Sequence, residues 1–240
     1  MQPSEHLANI QKARHRQFTW TSLCLFAILL ISIRSDAEEL FVRSKPAMGS
    51  VFTMYLYAQD EAQASAAFEA AFDEVERLEE ALSNYRDTSE LSRINRLAGS
   101  QAVTTDPEVF GLLQTSLDYS KKTDGAFDIT VGPLMKAWGF FRASGHYPSQ
   151  AELDTAKAKI GWQNVGLDAP NRTVHFAKQG MELDLGAIGK GYTVDRMVSV
   201  LREAGIQSAL VDAGSSTLYA LGAPPGKDGW TVRVPRPGHR

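Results

Sequence analysis

Five bulky apolar residues, Phe68, Phe72, Val75, Leu78 and Leu82, recur at intervals of four and three within a segment otherwise rich in alanine and acid. The spacing puts all five on one face of a long helix that starts after Asp60, and such a stripe must be buried against another layer. The opposite face carries Glu69, Asp73, Glu76 and Glu80, which read as solvated surface rather than as a metal site. Before this helix, residues 40–42 and 51–57 are apolar and aromatic. They predict two strands joined by a loop over 46–50 that carries Met48.

The chain after the helix keeps mixing the two periodicities. Residues 83–87 break the helix, and Ser89 with Glu90 starts a short one through Asn95. Val103 begins a small strand. Thr105-Asp106-Pro107 opens a helix whose buried stripe is Val109, Leu112, Leu113 and Leu117. Residues 126–133 form a short extended piece, followed by a bulky apolar run over 134–141. Ser149 and Glu152 have the spacing of a capping box, for a helix that stops at Gly161. Residues 165–167 and 173–176 predict a hairpin around 168–172. Further strands are expected at 181–184, 208–212, 217–221 and 230–234. Strands and helices do not alternate strictly, so the expected class is α+β: a mixed β-sheet layered with helices, not a doubly wound parallel fold. The last strand runs straight into Pro-Arg-Pro-Gly-His-Arg at 235–240. The C-terminal part of the domain therefore reads as missing, with a frayed edge strand as the other reading.

The run Asp-Leu-Gly-Ala-Ile-Gly-Lys-Gly-Tyr-Thr-Val-Asp at 184–195 joins one of these strands to a helix marked by Val194, Met197, Val198 and Leu201 and ended by Gly205. Gly186, Gly189 and Gly191 let backbone approach a ligand, the new helix aims free N–H groups at it, and Lys190 adds a positive charge. Two readings stand open: a phosphate or pyrophosphate cradle, and a tight turn with a surface lysine. The spacing matches neither the dinucleotide fingerprint nor the phosphate loop of nucleotide hydrolases.

Charge and cysteine narrow the function classes. A formal net charge of -3 and the absence of a basic stripe argue against a nucleic-acid surface. Cys24 is the only cysteine, so a disulfide or cysteine metal site within one chain is excluded. His6, His15, His146, His175 and His239 show no ligand spacing. Lys12, Arg14 and Arg16 precede an apolar run over 23–33, and Ser35-Asp36-Ala37 has the small-x-small pattern of a leader-peptidase site. Residues 1–37 are read as a secretory signal and 38–240 as the exported domain. The alternative is an uncleaved anchor in the inner membrane.

Several of these pieces together resemble the ApbE-like FAD:protein FMN transferases. They are Ala47-Met48-Gly49, Leu82-Ser-Asn-Tyr85, Ser89-Glu90-Leu91 with Ile94-Asn95, the run from Asp124 to Pro133 with Trp138-Gly139-Phe140, and the run 184–195. They occur in the family's order and span most of the chain after the leader. The resemblance implies an ApbE-like, T-fold-like architecture and an enzyme that cleaves FAD, leaves FMN esterified to a threonine hydroxyl of an acceptor protein, and releases AMP with the help of Mg2+. Acceptors of the family are exported or membrane-bound redox subunits, which suits a periplasmic or otherwise exported enzyme.

The family's FAD contacts fall on Met48, Tyr85, Ala126, Phe127, Asp128, Asp184 and Lys190. One metal-ligating position falls on Ala187, which can contribute only its backbone carbonyl. The family's other metal ligands, and a candidate base for the acceptor hydroxyl, belong to positions beyond Arg240. After Val211 the family's paired-glycine turn is replaced by Gly214-Ser215-Ser216. Two other activities fit the same binding residues: a flavin carrier without transferase activity, and an FAD pyrophosphatase in which water replaces the threonine.

Overall fold

The expected long helix occupies Glu61–Leu82 in the computed structural model, which describes residues 38–140, 145–214 and 216–234. This helix, α1, starts where Asp60 accepts a hydrogen bond from the Gln63 amide at 2.8 Å, and its apolar stripe is long enough to serve two cores. The other helices are α2 (Glu90–Leu97), α3 (Pro107–Lys122), α4 (Gly132–Ala137), α5 (Gln150–Lys157) and α6 (Gly189–Glu203). The α5 start is the expected capping box, with both reciprocal Ser149–Glu152 bonds made.

The first core lies under a four-stranded sheet in the order β1-β2-β6-β7. Its strands are β1 (Glu39–Ala47), β2 (Ser50–Ala58), β6 (Ser208–Ala213) and β7 (Leu218–Leu221). Phe52, Met54, Leu56 and Ala58 alternate inward on β2, as do Ala209, Val211 and Ala213 on β6. They meet Phe68, Phe72 and Val75 of α1 and Val194, Met197, Val198 and Leu201 of α6. At about 1.5–3 kcal/mol for each large side chain removed from water, this interdigitation outweighs the weak helix propensities of its β-branched members. The second core gathers Leu78 and Leu82 from the far end of α1, Leu91 and Ile94 of α2, and Val109, Leu112 and Leu113 of α3. They pack on a small sheet in the order β3-β5-β4, made of Val103–Thr104, Thr173–Phe176 and Val165–Asp168.

The α+β layering matches the expectation from sequence, but the strands divide between two sheets and every described pairing is antiparallel. Three local expectations are corrected. Residues 181–184 form no strand: the Asn95 side chain bonds both backbone groups of Leu183, while Asp184 donates its amide to the Ile129 carbonyl and the Glu182 carbonyl accepts from the Gly132 amide. Residues 126–131 are turn and bend rather than extended, and Gly132 already begins α4. Residues 230–234 form no strand; Trp230 instead donates its indole N–H to the Leu221 carbonyl at 3.2 Å and lies against Tyr57. The leader, Cys24, His239 and Ser215 fall outside the described residues. Among the described residues no helix is long and apolar enough to cross a membrane.

Candidate functional site

The tip of the β1–β2 hairpin is tighter than a five-residue loop. Ala47 pairs directly with Ser50, so only Met48 and Gly49 turn the chain, with φ of 50° and 69°. Two left-handed residues between paired strands suit the right-handed strand twist, but the geometry costs a methionine about 1–2 kcal/mol. Burial offsets that cost: the Met48 side chain packs against both cores, and the Thr193 hydroxyl of α6 lies 3.5 Å from its sulfur. The hairpin tip is thereby fixed over the start of α6.

The approach to α6 is held by an amide ladder. Leu183 donates its N–H to Asn95 Oδ1 at 2.7 Å and accepts from Asn95 Nδ2 at 2.9 Å. The same Nδ2 reaches Asn84 Oδ1 at 3.3 Å, and Asn84 Nδ2 donates to Asp184 Oδ2 at 3.0 Å. Asp184 Oδ1 accepts from the Gly186 amide at 2.8 Å, closing a turn of the kind aspartate favours. A Cβ on Gly186 would sit 2.9 Å from that oxygen, so a larger residue there would displace the Asp184 carboxylate.

The chain then enters α6 with its polar groups facing outward. The Ile188 and Gly189 amides donate to the Leu185 carbonyl, and the Tyr192 amide to the Ile188 carbonyl. Among the described residues, the Lys190 and Gly191 amides find no backbone acceptor and the Ala187 carbonyl no backbone donor. No capping side chain covers this end, and among the described residues Lys190 has no ion-pair partner. A free helix N-terminus beside an unpaired lysine attracts anions, worth about 0.3–1 kcal/mol from the dipole before the lysine is counted.

Two cavities flank this turn. One, of about 620 Å³, is lined by Met48, Tyr85, Met135, Phe140, Asp184 and Lys190 among others. The second, of about 750 Å³, is lined by Thr115, Tyr119, Ala187, Gly191, Asp195 and Thr217 among others. Gly186 and Lys190 line both. Tyr85 and Phe140 are each 58% exposed and offer flat faces on the rim of the first cavity. Partial desolvation, and then the negative charge of Asp184, hold the Tyr85 hydroxyl above the usual tyrosine range.

Four of the expected flavin contacts, Met48, Tyr85, Asp184 and Lys190, therefore meet at one cavity, and Ala187 lines the other. Ala126, Phe127 and Asp128 line neither. Asp128 Oδ1 accepts from the Thr130 amide at 2.8 Å and the Thr130 hydroxyl at 2.7 Å, while Oδ2 accepts from the Trp162 amide at 3.1 Å. Phe127 meets the ring of Tyr119, a lining residue of the second cavity, edge-on at 6.2 Å. Sequence alone gave no role to the bracing amides Asn84 and Asn95 or to the cavity-lining Met135 and Phe140. Asn84 and Asn95 stand inside the family's motifs, but an asparagine near a helix end reads first as a cap.

A cation would find little else here. Among the described residues no group of three or more His, Cys, Asp or Glu could hold one. The Ala187 carbonyl, which no described backbone donor reaches, could fill one position of an oxygen-coordinated ion.

The model of the ApbE family matches residues 48–240. The FAD:protein FMN transferase of Klebsiella pneumoniae (strain 342) is 35% identical over 190 residues, covering 79% of this chain and 57% of that protein. The FAD:protein FMN transferase of Treponema pallidum (strain Nichols) is also 35% identical over 190 residues, covering 76% and 52%. The chain thus spans about half the length of these relatives. Among solved structures, the ApbE protein of Thermotoga maritima superposes with a TM-score of 0.77 at 28% identity, over 84% of this chain and 65% of that one. The apo flavinyl transferase ApbE of Pseudomonas stutzeri gives 0.74 at 28% identity, over 82% and 66%.

Proposed function

This chain belongs to the ApbE family, and from that premise we propose that it binds FAD and transfers its FMN half to a threonine hydroxyl of an acceptor protein, releasing AMP. One observation carries the reading: Met48, Tyr85, Asp184 and Lys190 converge on one cavity at an uncapped helix N-terminus. The cavity combines a flat apolar wall with a cationic end, which suits a ligand that is part aromatic ring and part pyrophosphate.

The residues divide that work. Tyr85, Phe140 and Met135 face the planar ring. Asp184, already oriented by Asn84 and Gly186, keeps lone pairs for ring or ribose donors. Lys190 and the free amides of the first turn of α6 take the pyrophosphate charge and stabilise it as it grows on the departing phosphate. In the transfer the acceptor oxygen bonds to the FMN phosphorus, the bridging P–O bond breaks, AMP leaves with the electron pair, and the hydroxyl proton is released. The Ala187 carbonyl would help to hold magnesium, which would supply charge neutralisation at the phosphates. The acceptor we propose is a redox subunit outside the cytoplasm, with the enzyme exported through its leader.

The test is to incubate the protein with FAD, Mg2+ and an acceptor domain, then weigh the products by mass spectrometry. FMN added to an acceptor threonine is the expected result. Free FMN and AMP with an unlabelled acceptor would make the protein a pyrophosphatase, and bound intact FAD a carrier.

A further inference from the structure

The helix that aims its N-terminus at the two cavities is built without the usual fastening. α1, α2, α3 and α5 each open on a side-chain cap, from Asp60, Ser89, Asp106 and Ser149. α6 opens on Ile188, which has no oxygen to offer, and its first turn contains Gly189 and Gly191. Glycine gives a helix backbone more freedom than any other residue, so this turn has little rigidity of its own. On one side Thr193 holds it, with its hydroxyl 2.9 Å from the Gly189 carbonyl and 3.5 Å from Met48.

Tyr192 holds the other side. Its hydroxyl donates to Glu108 Oε1 at 2.7 Å, at the start of α3. Glu108 is itself immobilised: Oε2 takes Arg77 at 2.7 Å, and Arg77 binds Glu74 at 2.8 Å. Glu74 in turn takes Arg196 at 3.0 Å, and Arg196 returns to Glu108 at 3.4 Å. Two acids and two bases thus close a ring across α1, α3 and α6. The Glu74 side chain is only 12% exposed, so the ring is better fixed than an ordinary surface pair.

We infer that Tyr192 is a positioning residue: through Glu108 it fixes the first turn of α6, and with it Lys190 and the free amides, in the orientation that receives a pyrophosphate. The ligand side of this inference rests on the proposed FAD binding, whereas the anchoring of the turn does not. Tyr192 also lines the second cavity, but its hydroxyl is engaged by Glu108; it does for α6 what a side-chain cap does for α1, α2, α3 and α5.

Tyr192→Phe keeps the ring and its packing and removes only the hydroxyl. Two readouts test it, both beside the thermal midpoint. The first is amide hydrogen exchange in the free protein. The Gly189 and residue-192 amides should exchange about tenfold faster, the scale of one lost hydrogen bond, with amides of the β1–β2 hairpin unaffected. The second is flavin affinity, where FAD should bind about tenfold more weakly while riboflavin, which has no phosphate, binds as before. Unchanged exchange at both amides overturns the inference. So does a loss of riboflavin and FAD affinity together with a fallen midpoint, which is the mark of a residue that only supports the fold. If the unsubstituted protein binds no FAD, the functional reading falls, and the exchange result alone decides the role of Tyr192.

Discussion

Asp128 and Asp184 make the same first move. Each carboxylate accepts a hydrogen bond from the backbone amide two residues on, Thr130 in one case and Gly186 in the other, both at 2.8 Å. The two turns part at the residues that come next. After Asp128 the side chains close the turn on itself: Thr130 is fully buried, its hydroxyl takes the Gly161 amide at 2.9 Å, and the second Asp128 oxygen takes the Trp162 amide. After Asp184 the Leu185 side chain is buried, and Gly186, Ala187 and the glycines on either side of Lys190 leave the turn open, so that Gly186 and Lys190 form a ledge between two cavities. One local motif thus yields a clasp or a binding edge, according to whether neighbouring side chains and amides close over it.

The largest expected effect lies on the ledge. Lys190→Ala should weaken FAD binding roughly 10- to 100-fold, the equivalent of about 1.5–3 kcal/mol for a hydrogen bond to a charged group, with the thermal midpoint unmoved. Isothermal titration with FAD and with riboflavin reads this directly. An equal loss for both ligands would take the lysine away from the phosphates.

The two aspartates should then separate in opposite directions. Asp128→Ala leaves the Thr130 and Trp162 amides without their acceptor and should cost about 2 kcal/mol in urea unfolding, while the folded fraction keeps its FAD affinity. Asp184→Ala should cost less stability, about 1 kcal/mol, because its surroundings open to water, and should weaken FAD binding about tenfold. If Asp128→Ala weakens FAD binding without loss of stability, the distinction between clasp and ledge fails and Asp128 is a ligand contact after all.

The same contrast separates what was legible in the sequence from what was not. The α1 stripe, the Asp106, Ser89 and Ser149 caps and the Gly205 stop were legible because each is a local pattern with one physical solution. The tightness of the Met48–Gly49 turn was not, since methionine carries no signal for a positive φ. The run 181–184 has strand alternation, but its partners are the side chain of Asn95, 88 positions before Leu183, and the turn backbone at Ile129 and Gly132 rather than a strand. The charge ring was hidden for a similar reason. Acidic residues at 69, 73, 76 and 80 read as solvated face, whereas Glu74, among them in sequence, turns inward to meet Arg196, 122 positions away. In the candidate site the sequence named both aspartates alike; that Asp184 lines a cavity while Asp128 lines neither and bonds Thr130 and Trp162 was not legible, because both precede a turn.

Glycine offers a smaller test of the ledge. A Cβ at position 191 meets nothing within 4 Å in the protein, so this glycine is not demanded by packing. Gly191→Ala should therefore stabilise the free protein by about 0.5–1 kcal/mol through helix propensity. If the open space is where phosphate sits, the same methyl group should weaken FAD binding. A gain in stability with no loss of affinity would put the phosphate elsewhere along the turn.

The smallest expected effect is electrostatic. Desolvation and then the charge of Asp184 raise the Tyr85 pKa. A raised tyrosine pKa contributes stability that is fully present below the unfolded value, about 10, and is lost as pH climbs through the folded value. Asp184→Asn removes the second cause and leaves the first, so the Tyr85 pKa should fall part of the way back and the alkaline loss of stability should become shallower. Asp128→Asn should leave it where it is, because Asp128 is no cause of the shift. The tyrosinate absorbance of each protein, less that of the same protein carrying Tyr85→Phe, isolates this single hydroxyl. A Tyr85 pKa that ignores Asp184→Asn would mean that the carboxylate's charge is already spent on Asn84 and Gly186. Asp184 would then be a second clasp, and the contrast with Asp128 would rest on Lys190 and the glycines alone.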